Sequence, residues 1–278
     1  MSVEVQIVIY WAAVFFYVAG FVTLVSGKLF DKPKCNDIGF YLTIPGFVLN
    51  NLAILFRGIE IGHLPVWGIY EVFPNYVWGL VLIYLLVGYK YPKLRFSGSF
   101  ILPIAFILIG IAVMTNKEIH DVPRSFYTYW LYVHIIFAKF AYGAALLSAG
   151  MSAIYLYKQS STDKHINLKF WDSLPSNEDL DFNSYRFAQF TFIMLGVMIV
   201  SGAIWAYKAW GRYWNWDPIE TWALISWLVY GLYFHLRFTG KIKERSAAWA
   251  NIIAVVFLVF AFLGLPLFYE TVHEHLKY

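Results

Sequence analysis

Long apolar segments alternate with short polar ones along the whole chain. Eight of the apolar segments are long enough to cross about 30 Å of hydrocarbon as helices. They cover Val5–Val25, Phe40–Phe56, Val72–Tyr89, Phe100–Thr115, Trp130–Tyr157, Phe187–Tyr207, Ile219–Phe238 and Ala247–Phe268. No polar connection has the pattern of a separate soluble domain. The pattern therefore predicts an all-α polytopic membrane protein with a single domain over residues 1–278.

The composition agrees with a membrane location, since 60% of the residues are hydrophobic and only 14% are charged. The mean hydropathy of +0.59 is high for a protein that has to bury its apolar residues in one water-soluble core. The single cysteine, Cys35, excludes an internal disulfide, a CxxC redox pair and a cysteine-based metal cluster within this chain. Any thiol chemistry must therefore use the thiols of a partner.

Lysine and arginine residues are distributed unevenly between the predicted connections. The connections after the first, third, fifth and seventh spans hold fourteen of them, whereas the N-terminus, the other connections and the tail hold six. Because basic residues accumulate on the inner side of membranes, both termini are predicted to lie outside. This distribution accounts for the net charge of +4 without nucleic-acid binding. Lys139, within the fifth span, is interpreted as a side chain that snorkels or pairs inside the bundle.

The connection between the sixth and seventh spans, residues 205–222, is rich in aromatic residues. Together with Trp227 it holds six of the twelve tryptophans. Tryptophan and tyrosine anchor membrane proteins at the interface, but an anchoring belt does not account for this density within one outer connection. We expect a broad aromatic shelf that suits a flat cofactor such as a porphyrin, with Lys208 and Arg212 binding its propionates. The shelf residues are Trp205, Trp210, Trp214, Trp216, Asp217 and Trp222.

The segment Asp217-Pro218-Ile219-Glu220 matches the start of a helix. Asp is a favoured N-cap residue, Pro is favoured at the first helical position, and Glu three residues after the cap completes a capping box. Asp217 and Glu220 are therefore predicted to shape the edge of the aromatic shelf. Acid and base catalysis is the less favoured interpretation of these two carboxylates.

Five of the seven histidines fall on or near the predicted outer face, namely His63, His120, His134, His273 and His275. His134 begins the fifth span and His273 follows the eighth, so both can reach one iron atom beside the aromatic shelf. Paired imidazoles commonly hold heme iron, and no cysteine or methionine pattern competes here. The alternative is that each histidine forms an interfacial hydrogen bond at a helix end. His165, in an inner connection, is predicted to have no special role.

His235 differs from the other histidines because it lies inside the seventh span, roughly 21 Å from the start of that helix. An ionisable side chain at membrane depth indicates a functional site, and a hydrogen bond between helices is the structural alternative. A second heme ligand on the route from the inner to the outer side would account for His235.

The longest motif of the chain runs from Trp205 to His235 and reads WAYKAWGRYWNWDPIETWALISWLVYGLYFH. It closely resembles the tryptophan-rich WWD signature of the CcsA family, also called ResC, of system II cytochrome c biogenesis. That family lies within a wider superfamily of heme-handling proteins. His134 in WLYVHIIF and His273 in GLPLFYETVH resemble the settings of the family's two outer histidines, and His235 resembles its intramembrane histidine.

A second motif, GHLPVWGIYE with His63 and Glu71, resembles an early outer-loop motif of the same family. The chain also departs from the family pattern at two places. Ile219 stands where the family's WDPKE has a lysine, and the tail reads EHLKY where the family has SYG. Because of these departures, the polarity at the edge of the aromatic shelf stays undetermined. His275 is a substitute ligand for His273.

The resemblance implies the heme-binding and heme-exporting subunit of a cytochrome c synthase. Heme b would arrive from the inner side, bind between His134 and His273, and be offered to the CxxCH motif of apocytochrome c for thioether attachment. The heme lyase would need a CcsB (ResB) membrane partner, which supplies a second intramembrane histidine that this chain lacks. The implied location is a bacterial or archaeal cytoplasmic membrane, or a thylakoid membrane, with the site on the periplasmic, outer or lumenal face.

Two other functions stay open at this point. A heme-delivery protein like CcmC would share the aromatic shelf and two outer histidines, but it would pass heme to a chaperone and would lack His235 and two of the spans. A membrane b-type cytochrome would place histidine pairs inside the bundle for electron transfer, and His235 alone cannot make such a pair.

Overall fold

The computed structural model describes residues 3–119, 128–163 and 174–264. The regular structure within these ranges is helical. Its α-helices are α1 (Val3–Leu29), α2 (Lys34–Ile61), α3 (Gly68–Lys90), α4 (Gly98–Met114), α5 (Tyr129–Asp163), α6 (Asn177–Trp210), α7 (Pro218–Phe238) and α8 (Glu244–Val259). A 3₁₀ helix, Pro92–Ser97, precedes α4, and a π-helical turn, Phe260–Gly264, follows α8. The predicted all-α class is confirmed.

Seven stretches of the described chain are long and apolar enough to cross a membrane. They correspond to α1, α2, α3, the 3₁₀ helix with α4, α5, α6, and α8 with its π-helical turn. α7 covers the predicted seventh span with 21 residues, but its tryptophans, tyrosines and His235 make it less apolar. The chain is thus an integral membrane protein. An eighth span and the outer position of both termini stay predictions.

Some helices are longer than the apolar runs that predicted them. α6 begins at Asn177, well before the apolar run that starts at Phe187. Ser176 caps this polar extension, since its side chain accepts a hydrogen bond from the Asp179 amide at 3.0 Å. Asp179 and Glu178 also place negative charge at the positive end of the helix dipole. Hydropathy detects the membrane-spanning part of a helix, and a capped polar turn extends the helix beyond it.

The described residues form two compact units, one built by α1–α4 and the other by α5–α8. In the first unit, α1 and α2 pack along their length. A Cβ atom added at Gly20 would lie 3.0 Å from the Gly39 carbonyl oxygen, and one added at Gly39 would lie 2.9 Å from the Gly20 carbonyl oxygen. Small residues let membrane helices approach closely, so this pair of glycines sets the distance between α1 and α2.

The second unit is built around α5 and α6, which pack along most of their length, and α8 lies against α5. Alanines let these helices approach closely. The buried ones in this core are Ala138, Ala141, Ala145, Ala188, Ala247 and Ala254. A buried polar cluster joins the three helices, because Asn251 Nδ2 on α8 lies 2.7 Å from Ser148 Oγ on α5 and 3.1 Å from Ser184 Oγ on α6.

α7 packs against α6 through aromatic contacts and an ion pair. The Trp227 indole stacks on Phe192 with ring centroids 4.9 Å apart, and its Nε1 donates to the Phe192 carbonyl oxygen at 3.1 Å. In the last turn of α7, Arg237 pairs with Asp181 of α6, with Nη1 of the guanidinium 2.9 Å from Oδ1. These contacts hold the two helices side by side and so fix the ends of the connection between them, which carries most of the predicted shelf.

Candidate functional site

His134 lies near the start of α5 and is half-buried. Its Nδ1 atom lies 2.9 Å from the carbonyl oxygen of Met198 on α6. A carbonyl only accepts hydrogen bonds, so Nδ1 carries the proton and the lone pair of the neutral ring lies on Nε2. Proteins usually orient a metal-binding histidine in this way, with the second ring nitrogen donating to a backbone carbonyl or a carboxylate. The arrangement therefore suits a metal ligand that binds through Nε2.

Gly202 provides the space that this imidazole occupies. A Cβ atom added at Gly202 would lie 2.7 Å from His134 Nδ1 and 3.0 Å from Cε1, so the ring contacts the bare backbone of α6. Gly202 was not among the predicted site residues. A glycine inside a helix costs about 1 kcal/mol relative to alanine. The glycine within the helical run of α6 was therefore the sequence signal for this position.

Trp205 covers one side of the same imidazole. Its ring centroid lies 6.4 Å from that of His134, and the two planes are 26° apart. Trp210 meets Trp205 edge to face at 4.9 Å. Trp205 is only 2% exposed, whereas Trp210 is 38% exposed. Trp205 thus lies behind the accessible aromatic surface, next to His134, and Trp210 contributes to that surface.

The other tryptophans of residues 205–222 follow the end of α6. Trp214 and Trp216 meet edge to face at 5.8 Å, and Trp216 is 70% exposed. Trp222, in the first turns of α7, packs against Phe257 and Phe260 at the end of α8, with centroids 5.8 and 5.0 Å apart. The second unit therefore carries exposed indole rings at the end where α6 stops and α7 starts.

The predicted capping box at the start of α7 is confirmed. Asp217 Oδ1 accepts a hydrogen bond from the Ile219 amide at 2.9 Å. Glu220 Oε2 accepts from the amides of Asp217 at 3.3 Å and Asn215 at 2.9 Å. Both carboxylates thus satisfy backbone donors at the edge of the aromatic shelf, as the sequence pattern predicted.

The two predicted propionate-binding residues lie at this same end of the unit. Lys208 is in the last turn of α6 and Arg212 follows Gly211, the residue that ends the helix with φ of 75°. Both basic side chains are exposed. Close to them, Tyr207 and Tyr213 stack face to face at 4.4 Å. This surface combines aromatic faces with two cations, a combination that suits a flat, anionic ligand.

His235 is at the opposite end of α7. It lies in the last turn, its side chain is exposed, and its carbonyl oxygen accepts from the Thr239 amide at 3.0 Å. Helix geometry puts it about 25 Å from Pro218 along the axis. The structure does not bring His235 and His134 together, and the described part of the second unit has one histidine at each end.

Comparison with known proteins places the chain in a family. A family model described as cytochrome C assembly protein matches residues 66–273. Cytochrome c biogenesis protein CcsA of Guillardia theta is 29% identical over an alignment of 270 residues that covers 90% of this chain and 89% of that protein. The chain belongs to the CcsA family. CcsA of Prochlorococcus marinus strain MIT 9515 is 30% identical, with 86% of this chain and 85% of that protein covered.

Another CcsA relative, from Chlamydomonas reinhardtii, is 33% identical over 81% of this chain and 64% of that protein. Membership of the CcsA family makes the chain a cytochrome c biogenesis protein of the membrane and implies a role for heme and apocytochrome c. The matched range, 66–273, includes His134, residues 205–222 and His235, and it ends at His273. α1 and α2 lie before it.

The motif GHLPVWGIYE lies in the first unit, where Glu71 is 6% exposed. Glu71 Oε1 accepts a hydrogen bond from Arg57 Nε at 2.9 Å, and Oε2 accepts from the Trp67 amide at 3.0 Å. Glu71 therefore caps the start of α3 and neutralises a buried arginine. His63 is half-buried, with Nδ1 2.9 Å from the Leu64 carbonyl oxygen.

Arg57 has a structural role that the sequence did not indicate. From the sequence it was only one of the basic residues in a connection. It is 1% exposed and lies in the last turns of α2. Its Nη2 donates to the carbonyl oxygens of Lys117 and Glu118 at 3.2 and 3.3 Å, and its guanidinium lies over the Tyr70 ring at 5.3 Å. One arginine thus ties together the ends of α2, α3 and α4.

Four predicted or considered histidines lie outside the described residues. They are His120, His165, His273 and His275. The pairing of His134 with His273, and the choice between His273 and His275, stay predictions.

Proposed function

We propose that this CcsA-family chain binds heme b at the outer membrane face and presents it to the CxxCH motif of apocytochrome c. The observation that carries the proposal is the hydrogen bond from His134 Nδ1 to the Met198 carbonyl oxygen, 2.9 Å long. It directs the Nε2 lone pair of His134 to a metal, at the end of the unit that carries the exposed indole rings. His273 would hold the iron through a second imidazole, with His275 as the substitute.

The residues at this end of the second unit fit heme. Iron takes imidazole nitrogen on its axial positions, and the porphyrin faces stack on indole rings. Trp210, Trp214, Trp216 and Trp222 provide these rings, Asp217 holds the edge of the shelf, and Trp205 supports the imidazole from behind. Lys208 and Arg212 bind the propionates at the rim, where a two-pronged guanidinium suits a carboxylate.

When bound, heme supplies the two vinyl groups that become thioethers. Each cysteine S–H of the CxxCH motif adds across one vinyl C=C, with sulfur bonded to one carbon and hydrogen to the other. The chain's residues position the two reactants and exclude water, which is how an enzyme turns a slow bimolecular addition into a fast one. The peptide's own histidine then replaces one protein imidazole, and the product is released.

Heme reaches the outer site from the inner side, and His235 is a ligand on that route. Its place in the last turn of α7, at the other end of the unit from the aromatic shelf, supports this role. A CcsB (ResB) membrane partner completes the heme route and the heme lyase. Without this partner, the chain attaches heme to cysteine poorly. His63 and Glu71 belong to the outer loop, with Glu71 acting through its pair with Arg57. The whole protein functions as one heme-handling domain.

The test is covalent cytochrome formation in bacterial cells whose own cytochrome c maturation genes are deleted. The chain is produced with its CcsB-like partner and an apocytochrome c, and covalent heme is measured by staining after denaturing electrophoresis. We expect a stained cytochrome with the wild type and with the control His165→Ala, and background staining with His134→Ala and with the chain lacking its partner. Heme transfer to an acceptor without any thioether would instead indicate delivery of the CcmC kind and would refute the proposal.

A further inference from the structure

We propose that Met198 and Gly202 of α6 position His134 for iron binding and tune its donor strength. The inference rests on the proposed function and extends it to two residues that never touch the ligand. Met198, Gly202 and Trp205 occupy positions i, i+4 and i+7 of one helix, so they form a single stripe along α6. Met198 and Gly202 lie at the Nδ1 edge of the His134 ring, and Trp205 lies beside its face.

The Met198 carbonyl oxygen is a strong acceptor with room for a second donor. It accepts from His134 Nδ1 at 2.9 Å, and the Ser201 hydroxyl, 3.1 Å away, donates mainly to the Val197 carbonyl oxygen at 2.6 Å. Carbonyl oxygens have two lone pairs and can accept more than one hydrogen bond. The Nδ1–H of His134 is therefore committed to a fixed atom of the helix backbone, which selects the tautomer with its lone pair on Nε2.

Gly202 allows this contact to form. A methyl group at position 202 would lie 2.7 Å from Nδ1, which is closer than Cβ atoms come to other atoms. Nδ1 belongs to a rigid ring, so the side chain cannot relieve the clash by bending. The imidazole would have to move off α6, and the hydrogen bond to Met198 would lengthen or break. Trp205, 26° from parallel with the imidazole, limits the rotation by which the ring could avoid the clash.

The hydrogen bond also changes the chemistry of the ligand. Donation from Nδ1–H to a carbonyl increases the electron density on Nε2, and a more basic axial ligand stabilises ferric over ferrous iron. Loss of the bond should therefore weaken ligation and raise the reduction potential of the heme. A residue that only packs the helices together would affect neither property.

The first experiment removes the hydrogen-bond donor at the Nδ1 position by changing the imidazole itself. In His134→Gly, purified with its partner and loaded with heme, the missing imidazole is replaced by a soluble one. 4-Methylimidazole reproduces the histidine ring and keeps the N–H that faces Met198, whereas 1-methylimidazole has the same size and carries a methyl group on that nitrogen. The absorption spectrum measures the dissociation constant of each ligand. The ratio of the 1-methylimidazole constant to the 4-methylimidazole constant is then divided by the same ratio for free ferric heme in the same detergent, which removes the intrinsic difference between the two ligands.

We expect 4-methylimidazole to bind about tenfold more tightly than 1-methylimidazole after this correction, the usual effect of an outer-sphere hydrogen bond on metal affinity. A corrected ratio of one would overturn the inference and leave the proposed ligand in place. If His134→Gly had the wild-type spectrum before any addition, His134 would not be a ligand, and the proposed function and the inference would fail together.

The second experiment uses Gly202→Ala with Gly231→Ala as the matched control. A Cβ atom at Gly231, on α7, would make only an ordinary contact, 3.7 Å from the Phe192 ring. We expect Gly202→Ala to raise the heme reduction potential and to change the g-values of the ferric low-spin signal, with Gly231→Ala like the wild type. Wild-type potential and g-values in heme-loaded Gly202→Ala would contradict the inference. If Gly202→Ala does not fold, the comparison of 4-methylimidazole with 1-methylimidazole is the test of the inference.

Discussion

At the scale of single residues, Arg57 and Glu71 form an ion pair that is buried in the first unit, with side chains 2% and 6% exposed. The Trp67 amide donates to Glu71, Arg57 donates to the Lys117 carbonyl oxygen after α4, and the Glu60 carboxylate lies 3.4 Å from Arg57 Nη1. Such a pair is stable only while it is complete, because the remaining charge would otherwise be buried alone.

Replacement of Glu71 by alanine should therefore be strongly destabilising. We expect Glu71→Ala to lower the free energy of unfolding by about 3 kcal/mol or more, because it leaves the buried Arg57 guanidinium with only the partly exposed Glu60 carboxylate, 3.4 Å from Nη1. Unfolding in mixed detergent micelles measures the loss. Glu118→Ala, at an exposed carboxylate, is the control and should change the stability by less than about 0.5 kcal/mol. Equal effects of the two substitutions would contradict this account of Arg57.

For His134, the sequence predicted the residue but not the contacts that orient its ring. Its position at the start of a span, next to an aromatic segment, predicted a ligand, and the structure adds the atoms that orient the ring. The partner could not be predicted, because a backbone carbonyl carries no residue identity and the register of α5 against α6 is absent from the hydropathy pattern. Met198 is recognisable only once the two helices are side by side, and the glycine at position 202 indicates a close approach without identifying the side chain that fills it.

At the scale of helices, a polar cluster in the second unit links three of them inside an apolar core. Asn251 is fully buried, and its Nδ2 lies 2.7, 2.9 and 3.1 Å from the hydroxyl oxygens of Ser148, Ser152 and Ser184. Hydrogen bonds between membrane helices contribute on average about 0.6 kcal/mol each, with larger values up to about 1.7. The cluster therefore fixes the order and register of α5, α6 and α8 more than it adds to stability.

Removal of this amide should loosen α8. We expect Asn251→Ala to lower the free energy of unfolding by about 1 to 2 kcal/mol, since the three hydroxyls lose a shared donor. Hydrogen exchange should show the largest increase in α8. Asn183→Ala is the control, because its amide makes a local bond to the Asp179 carbonyl oxygen of the same helix. An increase in exchange that is the same in α8 and in α2 would refute a local role for Asn251.

The start of α7 was predictable in detail, and the start of α6 was not. The capping box at Asp217 is a short, local pattern whose donors and acceptors lie within a few residues, so the sequence contains all of it. The polar beginning of α6 at Asn177 has no apolar periodicity. Hydropathy reports only where a helix meets hydrocarbon, and it is silent on turns that project beyond it.

At the scale of the whole molecule, the distribution of basic residues predicts which side of the membrane each connection faces. Cys35, at the start of α2, falls in a connection on the predicted inner side, and Asn116, after α4, falls on the predicted outer side. Cys35 is the only cysteine of the chain, so labelling of single cysteines can test the orientation directly.

We expect a membrane-impermeant maleimide to leave Cys35 unlabelled in intact cells and to label it after permeabilisation. Asn116→Cys in a Cys35→Ser background should be labelled in intact cells, because Asn116 is exposed and lies on the predicted outer side. The opposite pattern for the two positions would invert the proposed orientation and would move the aromatic shelf to the inner face.

We propose that His134 binds heme iron beside the tryptophans of residues 205–222. The most direct test is the absorption spectrum of the chain purified with its CcsB-like partner, compared between the wild type and His134→Ala at equal heme content. We expect a six-coordinate, low-spin spectrum with a sharp α band after reduction in the wild type, and its conversion to a five-coordinate, high-spin spectrum in His134→Ala. Soret and α bands that are identical in the two proteins would contradict the claim.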